Sequence, residues 1–379
     1  MRIALNAQLL SSAATYRTAG ISRVIHHLLA ELPRVPGDEK YIVYAPYSDP
    51  NRRLLATPRF RSRLTRLPVD RPAVRIALEQ TVLPIELVRE GADLLHALSF
   101  VSPMAWRGPT VVTVYDLSFL RVPEVYNRAN RLYLGTFTPP SLRRADRVIT
   151  ISEDARRDVI ELCGVAPDRV TPILLAADER FRPSPPDQVE AFRRRHGLPD
   201  RFVLYQGTLQ PRKNVETLVR AYALLRSQGS DDHILVLAGP RGWQDEPIFE
   251  LIRQLGLEAV VRFPGFVPDE EQALWYSSAA VFAFPSRYEG FGLPLLEAMA
   301  CGVPVVSSSA SSLPEVVGDA GLLVDPSDVE GLCSALRQLL EDASLRQAFS
   351  VAGRARARKF SWRRMASETV RVYREVLDS

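Results

Sequence analysis

Glu289 and Glu297 are separated by Gly290-Phe291-Gly292-Leu293-Pro294-Leu295-Leu296, and these residue types predict how the two carboxylates are presented. The apolar run Ala280-Val281-Phe282-Ala283-Phe284 precedes them and Val303-Pro304-Val305-Val306 follows, so the stretch reads as strand, tight turn, short helix and return strand. Pro294 suits the first turn of that helix and Gly302 its end, while Gly290 and Gly292 let the backbone approach a ligand closely. The helix N-terminus, with Leu293 at its start, presents unpaired N–H groups and a positive dipole end that suit an anion. Glu297 falls about one turn, roughly 5 Å, inside the helix, and Glu289 stands on the other lip. N–H groups for phosphate oxygens beside carboxylates for hydroxyls suit a ligand that carries both. The rival reading is an ordinary turn with one solvated glutamate and one that stabilises the helix dipole.

A second locus is Gln206-Gly207-Thr208-Leu209-Gln210-Pro211-Arg212-Lys213-Asn214. A strand at 202–206 delivers the chain into this loop, and Asn214 is expected to N-cap a helix that begins at Val215. Arg212 and Lys213 then lie just before a helix start, where two cations suit a phosphate-bearing ligand, or are a solvated basic pair. Arg241, after Ala238-Gly239-Pro240, ends another strand, within reach of a donor or of solvent.

These loci need strands to carry them. Apolar runs at 2–7, 41–46, 92–98, 110–115 and 147–151, then at 202–206, 233–239, 260–263, 279–284, 303–307 and 322–324, read as buried strands, with helices at Ile21–Leu32 and Asp154–Leu162. Repeated βα units imply α/β architecture with two doubly wound parallel sheets, whose ligands bind beyond the strand C-termini. The proline-rich stretch from Ala166 to Pro199 is expected to be the interdomain crossing, which divides the chain into domains at 1–175 and 176–360. An amphipathic helix is expected over 361–377.

Composition narrows the class. Hydrophobic content of 46% and charged content of 24% describe a soluble globular protein. No apolar run reaches the length of a membrane span, and the N-terminal Met1-Arg2-Ile3-Ala4-Leu5-Asn6-Ala7 turns polar too soon for a signal segment, so the chain is expected to stay in the cytoplasm. Cys163, Cys301 and Cys333 are too widely spaced for a CxxC metal site, and their odd number offers no disulfide framework. Residues 1–175 carry 24 Lys and Arg against 17 Asp and Glu, a net +7, and residues 176–379 carry 24 against 27, a net −3. The most basic stretch, 51–75, interleaves Arg52, Arg53, Arg59, Arg61, Arg63, Arg66, Arg71 and Arg75 with leucines. It suits the inner face of an anionic membrane or a diphosphate-bearing acceptor, or is a solvated arginine face. No nucleic-acid motif accompanies it.

Glu289-x-Phe291-Gly292-x4-Glu297, followed by Ala298-Met299-Ala300-x-Gly302-x-Pro304-Val305-Val306, resembles the donor-site signature of retaining glycosyltransferase family 4. Pro211-Arg212-Lys213-Asn214 resembles that family's phosphate-binding motif. The resemblance implies the GT-B fold: two Rossmann-like domains facing across a cleft, the first for the acceptor and the second for the nucleotide-sugar donor, with the terminal helix 361–379 crossing back to the first. It implies that Glu289 holds hydroxyls of the transferred sugar and Glu297 the ribose, with Arg212, Lys213 and the turn Gly290–Leu293 on the diphosphate. Gly207 then opens the phosphate loop, Gly20 in Thr18–Arg23 belongs to the family's glycine loop, and Val267 in Phe263–Pro268 contacts the base. In the first domain, His96 matches a family histidine and Ser152 a family serine. Tyr115-Asp116 stands where many relatives have His-Asp, and a tyrosine there cannot act as a near-neutral base.

The implied reaction retains anomeric configuration, with the acceptor hydroxyl attacking on the leaving-group side and the departing diphosphate taking the proton. No cofactor or metal is expected, and no Asp-x-Asp occurs in the chain. The layout at 16–23, 115–117 and 207–214 resembles the branch of bacterial mannosyltransferases of O-antigen and exopolysaccharide assembly. GDP-mannose is therefore the first donor expected and a UDP-hexose the second, with a saccharide or polyprenyl-diphosphate-linked saccharide as acceptor. A nucleotide-sugar epimerase or a non-catalytic nucleotide-sugar binding protein is the alternative.

Overall fold

The computed structural model describes residues 1–11, 19–122, 128–229 and 232–378. Thr18 of the expected glycine loop lies outside them. The chain forms two compact units, Met1–Leu175 with Ser361–Ser379, and Ala176–Phe360.

The first unit is built on seven parallel strands: β1 (Arg2–Asn6), β2 (Lys40–Pro46), β3 (Phe60–Thr65), β4 (Leu94–Ala97), β5 (Thr110–Val114), β6 (Arg147–Thr150) and β7 (Val170–Pro172), in the order β3-β2-β1-β4-β5-β6-β7. The second has six: β8 (Phe202–Gln206), β9 (Ile234–Ala238), β10 (Val261–Gly265), β11 (Val281–Phe284), β12 (Val305–Ser308) and β13 (Leu322–Val324), in the order β10-β9-β8-β11-β12-β13. Central strands such as β5, β8 and β11 are buried at every residue, because helices cover both faces of a parallel sheet. In each sheet the connections reverse direction at one place, between β1 and β4 and between β8 and β11. Crevices for ligands open at such points in doubly wound sheets.

The terminal helix, Trp362–Leu377, belongs to the first unit. It buries Trp362, Met365, Ala366, Thr369, Val370, Tyr373 and Val376 along one stripe, the spacing an amphipathic helix needs. Trp362 stacks on His27 with ring centroids 4.3 Å apart, and Arg374 pairs with the buried Glu39 at 2.6 Å.

Two sequence expectations need correction. The stretch 166–199 is more than a crossing: it contains β7 and the helix Pro186–His196. The arginine-rich stretch 51–75 contains the edge strand β3, and several of its arginines have partners within the unit: Arg59 pairs with Glu39 at 2.8 Å, Arg61 and Arg63 both pair with the buried Glu90, and Arg66 lies over the Tyr47 ring. Buried carboxylates need such counter-ions. Finally, Asn214 stands at the cap position of the helix Val215–Ser227 without capping it. Its backbone is left-handed, at φ 58°, and its side-chain amide instead donates to Pro285 O at 3.0 Å and Pro326 O at 2.7 Å. Asn214 therefore ties together the loops that follow β8, β11 and β13.

Candidate functional site

The loops after β8 and β11 meet at the reversal point of the second sheet. Arg212 and Lys213 lie on a short 3-10 turn, Pro211–Lys213, and both reach Glu289 on the neighbouring loop. Lys213 Nζ is 2.6 Å from Glu289 Oε1, and Arg212 Nη1 is 3.0 Å from Oε2. Ser286 Oγ donates to Oε1 at 2.7 Å, and Arg212 also donates to Tyr288 O at 2.8 Å. Lys213 sits 4.8 Å above the Phe284 ring, where a cation is favoured. Glu289 is only 8% exposed. Burial pushes its carboxyl up, but the Arg212 and Lys213 charges, with the Lys213 and Ser286 hydrogen bonds, together outweigh burial and hold it at about 2. Glu289 is thus an ionised acceptor across the physiological range, unsuited to carrying a proton in catalysis.

The turn beyond Glu289 is built for a close backbone approach. Gly292 has φ 114°, a conformation that favours glycine, and a Cβ there would sit 2.8 Å from Leu313 Cδ2, so the leucine end would have to move as well. The helix Leu293–Ala300 starts immediately after it. The loop backbone is clamped from the end of β12: Ser311 Oγ and Ser312 Oγ donate to Glu289 O at 2.6 and 2.9 Å, and Ser312 Oγ also reaches Phe291 O at 2.8 Å. Gly290 is half-buried and Phe291 is packed edge-on against Phe360. Gly207 opens the Arg212 loop, and Gly239 lies so close that a Cβ on it would meet Gly207 O at 2.1 Å.

Glu297 and Val267 are also in this unit but outside the Arg212–Lys213–Glu289 contact. Glu297 is buried in the helix and accepts a hydrogen bond from Tyr276 at 3.1 Å, while Val267 is buried two residues beyond β10. Arg241 turns away onto Asp245, with bonds of 2.8 and 2.9 Å, and over Phe249. Burial first, and Glu297 second, push the Cys301 thiol up to about 12, which leaves it inert. Among the described residues no three His, Cys, Asp or Glu side chains gather as a metal donor set.

The family model "Glycosyl transferases group 1" matches residues 188–356, and the model "Glycosyltransferase Family 4" matches residues 18–180. The chain is 38% identical over 265 residues to the O-antigen chain mannosyltransferase B of Escherichia coli, which covers 70% of each chain. The chain belongs to glycosyltransferase family 4. It is also 34% identical over 320 residues to the serotype-specific mannosyltransferase WbdA of Escherichia coli, of which it spans 39%. The sucrose-phosphate synthase structure from Thermosynechococcus elongatus matches it with a TM-score of 0.76 at 23% identity, over 100% of this chain and 99% of that one, and the fold is GT-B.

The first-unit residues of this glycosyltransferase that matched family positions also have structural occupations. His96 is 1% exposed, with Nδ1 2.7 Å from Tyr373 OH and Nε2 2.7 Å from Thr113 Oγ1. Burial lowers its pKa to about 3 and keeps the ring neutral. The Tyr115 hydroxyl is buried and donates to Leu98 O at 2.9 Å. Asp116 accepts from the Ser118 N–H at 2.9 Å and from the Ser118 hydroxyl, closing a local turn. Ser152 is fully buried and caps the helix Glu153–Cys163 by accepting from Ala155 N at 3.0 Å. Gly20 is exposed in the first turn of the helix Ala19–Glu31.

Ser286, Tyr276, Ser311 and Ser312 are the site residues that sequence reasoning missed. The serine-rich run Ser307-Ser308-Ser309-Ala310-Ser311-Ser312 after an apolar strand was the available signal, since hydroxyls at a strand end suit loop backbone.

Proposed function

We propose that this family 4 glycosyltransferase transfers mannose from GDP-mannose, with retention of configuration and without a metal, to a saccharide or lipid-linked saccharide in cell-surface polysaccharide synthesis. The observation that carries this reading is the meeting of Arg212, Lys213 and an ionised Glu289 beside the helix that starts at Leu293. Arg212 and Lys213 have five and three N–H donors, so each can bind a diphosphate oxygen while keeping Glu289. The helix N-terminus adds further donors, and together these groups stabilise the charge that develops as the diphosphate leaves. Side-chain cations here supply what a divalent metal would otherwise supply. Glu289 accepts hydrogen bonds from hydroxyls of the transferred sugar and stabilises positive charge on its ring. Glu297 binds the ribose, and the Val267 backbone contacts the base.

Mannose and the O-antigen setting are supported by the likeness to the two Escherichia coli mannosyltransferases. A peripheral position at the inner membrane face would use arginines of 51–75, such as Arg52, Arg53 and Arg71, which protrude from the first unit.

The test incubates the pure protein with GDP-mannose, UDP-glucose or UDP-N-acetylglucosamine, with and without EDTA. Nucleotide release is followed, and the anomeric configuration of the product is read by NMR. The expected result is EDTA-insensitive release, fastest from GDP-mannose, with an α-linked product. Faster release from a UDP-sugar overturns the donor, an inverted product overturns retention, and loss of rate restored only by Mg²⁺ or Mn²⁺ overturns the metal-free reading.

A further inference from the structure

The reversal point of the first sheet holds a polar group that none of the family motifs includes. Asn6 is the last residue of β1, which adjoins β4 at that point. Its amide Nδ2 donates to Glu79 Oε1 at 2.9 Å. Asn6, Gln8 and Glu79 are 5%, 8% and 7% exposed, so all three are more than nine-tenths buried. Among the described residues, Asn6 Oδ1 and Gln8 Oε1 have no hydrogen-bond partner. The bond to Glu79 settles the orientation of the Asn6 amide, because turning it over would set two oxygens against each other. Buried acceptors left unpaired are rare and costly; one of these stands on the side chain that holds the Glu79 carboxylate and the other two residues further along the chain, and both call for a hydroxyl donor.

The backbone around Glu79 is also irregular. The helical segments Pro72–Ala77 and Leu83–Glu90 are joined by a single π-turn at Leu78–Val82. Pro84 cannot donate to the carbonyl four residues earlier, and the ladder slips to a five-residue step in which Leu83 N–H bonds Leu78 O. Turns of this kind occur often at functional sites. The π-turn is pinned in place where Gln80 Oε1 accepts from Met104 N at 3.0 Å. Glu79 is coupled to the Tyr133 hydroxyl and to Arg75, and burial raises its pKa.

We infer that Asn6, Gln8 and Glu79 form a subsite for an uncharged polyhydroxylated group, the terminal sugar ring of the acceptor, with Glu79 as the positioning residue. The chemistry selects this ligand class: oxygen acceptors without partners ask for hydroxyl donors, whereas an anion would require the opposite set. The inference rests on the transferase reading above, and it assigns a part in acceptor recognition to one corner of the first unit.

The test measures acceptor and donor KM separately for the full-length wild type, Glu79→Gln and Gln8→Met. The acceptor probe is whichever of the methyl α-glycosides of mannose, glucose, galactose and N-acetylglucosamine is turned over fastest. Glu79→Gln can still accept from Asn6 but replaces the other carboxylate oxygen with an amide donor. A purely structural glutamate, which would lose only its attraction to Arg75 and its coupling to Tyr133, lowers stability and moves donor and acceptor KM together or not at all. The subsite predicts a rise in acceptor KM of about tenfold or more in Glu79→Gln, with donor KM moving less than twofold. A smaller rise in the same direction is expected for Gln8→Met, which carries the test by itself if Glu79→Gln does not fold. Acceptor KM within twofold of wild type in the folded variants, or donor and acceptor KM rising together, overturns the subsite while leaving the transferase reading intact. Release of nucleotide from none of the three donors by the wild type refutes the transferase reading, and the subsite with it.

Discussion

The ends of the two sheets treat their motif residues differently. In the second unit, Arg212, Lys213 and Glu289 arrive from two loops and satisfy one another's charge within 3.0 Å. In the first, His96, Tyr115, Asp116 and Ser152 each spend their polar groups on the fold itself, on Tyr373 and Thr113, on Leu98, on Ser118 and on Ala155. A motif that spans one βα turn carries its geometry with it, because strand, turn and helix are local. A lone polar residue at a strand end carries none, and its occupation depends on whatever packs against it.

The largest effect that would break this comparison concerns the cations. Arg212→Ala and Lys213→Ala are each expected to cut turnover by about 10²-fold or more, since each removes preorganised positive charge from a developing diphosphate. Lys213→Ala should also destabilise the chain, because it takes a partner from a buried carboxylate. Turnover within threefold of wild type in both variants would make the cluster structural, like its first-unit counterparts.

The two glutamates sharpen the same contrast. Glu289→Gln should chiefly lower kcat, because its contacts tighten as charge develops on the sugar. Glu297→Gln should chiefly raise donor KM, because a ribose contact is nearly equal in ground and transition states. The reverse pattern would show that the two roles are exchanged.

His96 supplies the smaller, structural counterpart. Its folded pKa of about 3 lies below the ordinary histidine value of 6.5, so between these values the unfolded chain binds the proton more readily. Its contribution is therefore intact above pH 6.5 and is lost as pH falls toward 3, at no more than about 1.4 kcal/mol per pH unit. Denaturant unfolding of the wild type and His96→Gln from pH 7 to pH 4 should show a shallower loss in the variant, with kcat at pH 7.5 changed less than threefold. A loss of turnover larger than the loss of stability explains would return His96 to the chemistry.

Much of the fold was legible because strands of parallel sheets are apolar on both faces, as Thr110–Val114 and Phe202–Gln206 are. Two strands escaped for physical reasons. β3 is an edge strand whose Arg61 and Arg63 answer the buried Glu90, and β7 has three residues and ends in Pro172. The Glu289 turn was legible as a turn, but its salt bridge to Lys213 joins residues 76 apart in the chain, and the one to Arg212 spans one residue more. The Asn214 cap was read wrongly, and the structural partner of His96 was hidden, for the same reason. The His96 partner Tyr373 lies 277 residues away, and the carbonyls that claim the Asn214 side chain come from Pro285 and Pro326.

The central claim is that Arg212 and Lys213 serve a diphosphate and do more than neutralise Glu289. Calorimetric titration of GDP and of guanosine into wild type, Arg212→Ala and Lys213→Ala tests it most directly. Each variant is expected to weaken GDP binding by about tenfold or more while guanosine affinity stays within twofold, since only GDP carries the phosphates that charge-assisted bonds would hold. GDP affinity within twofold of wild type in both folded variants would contradict it.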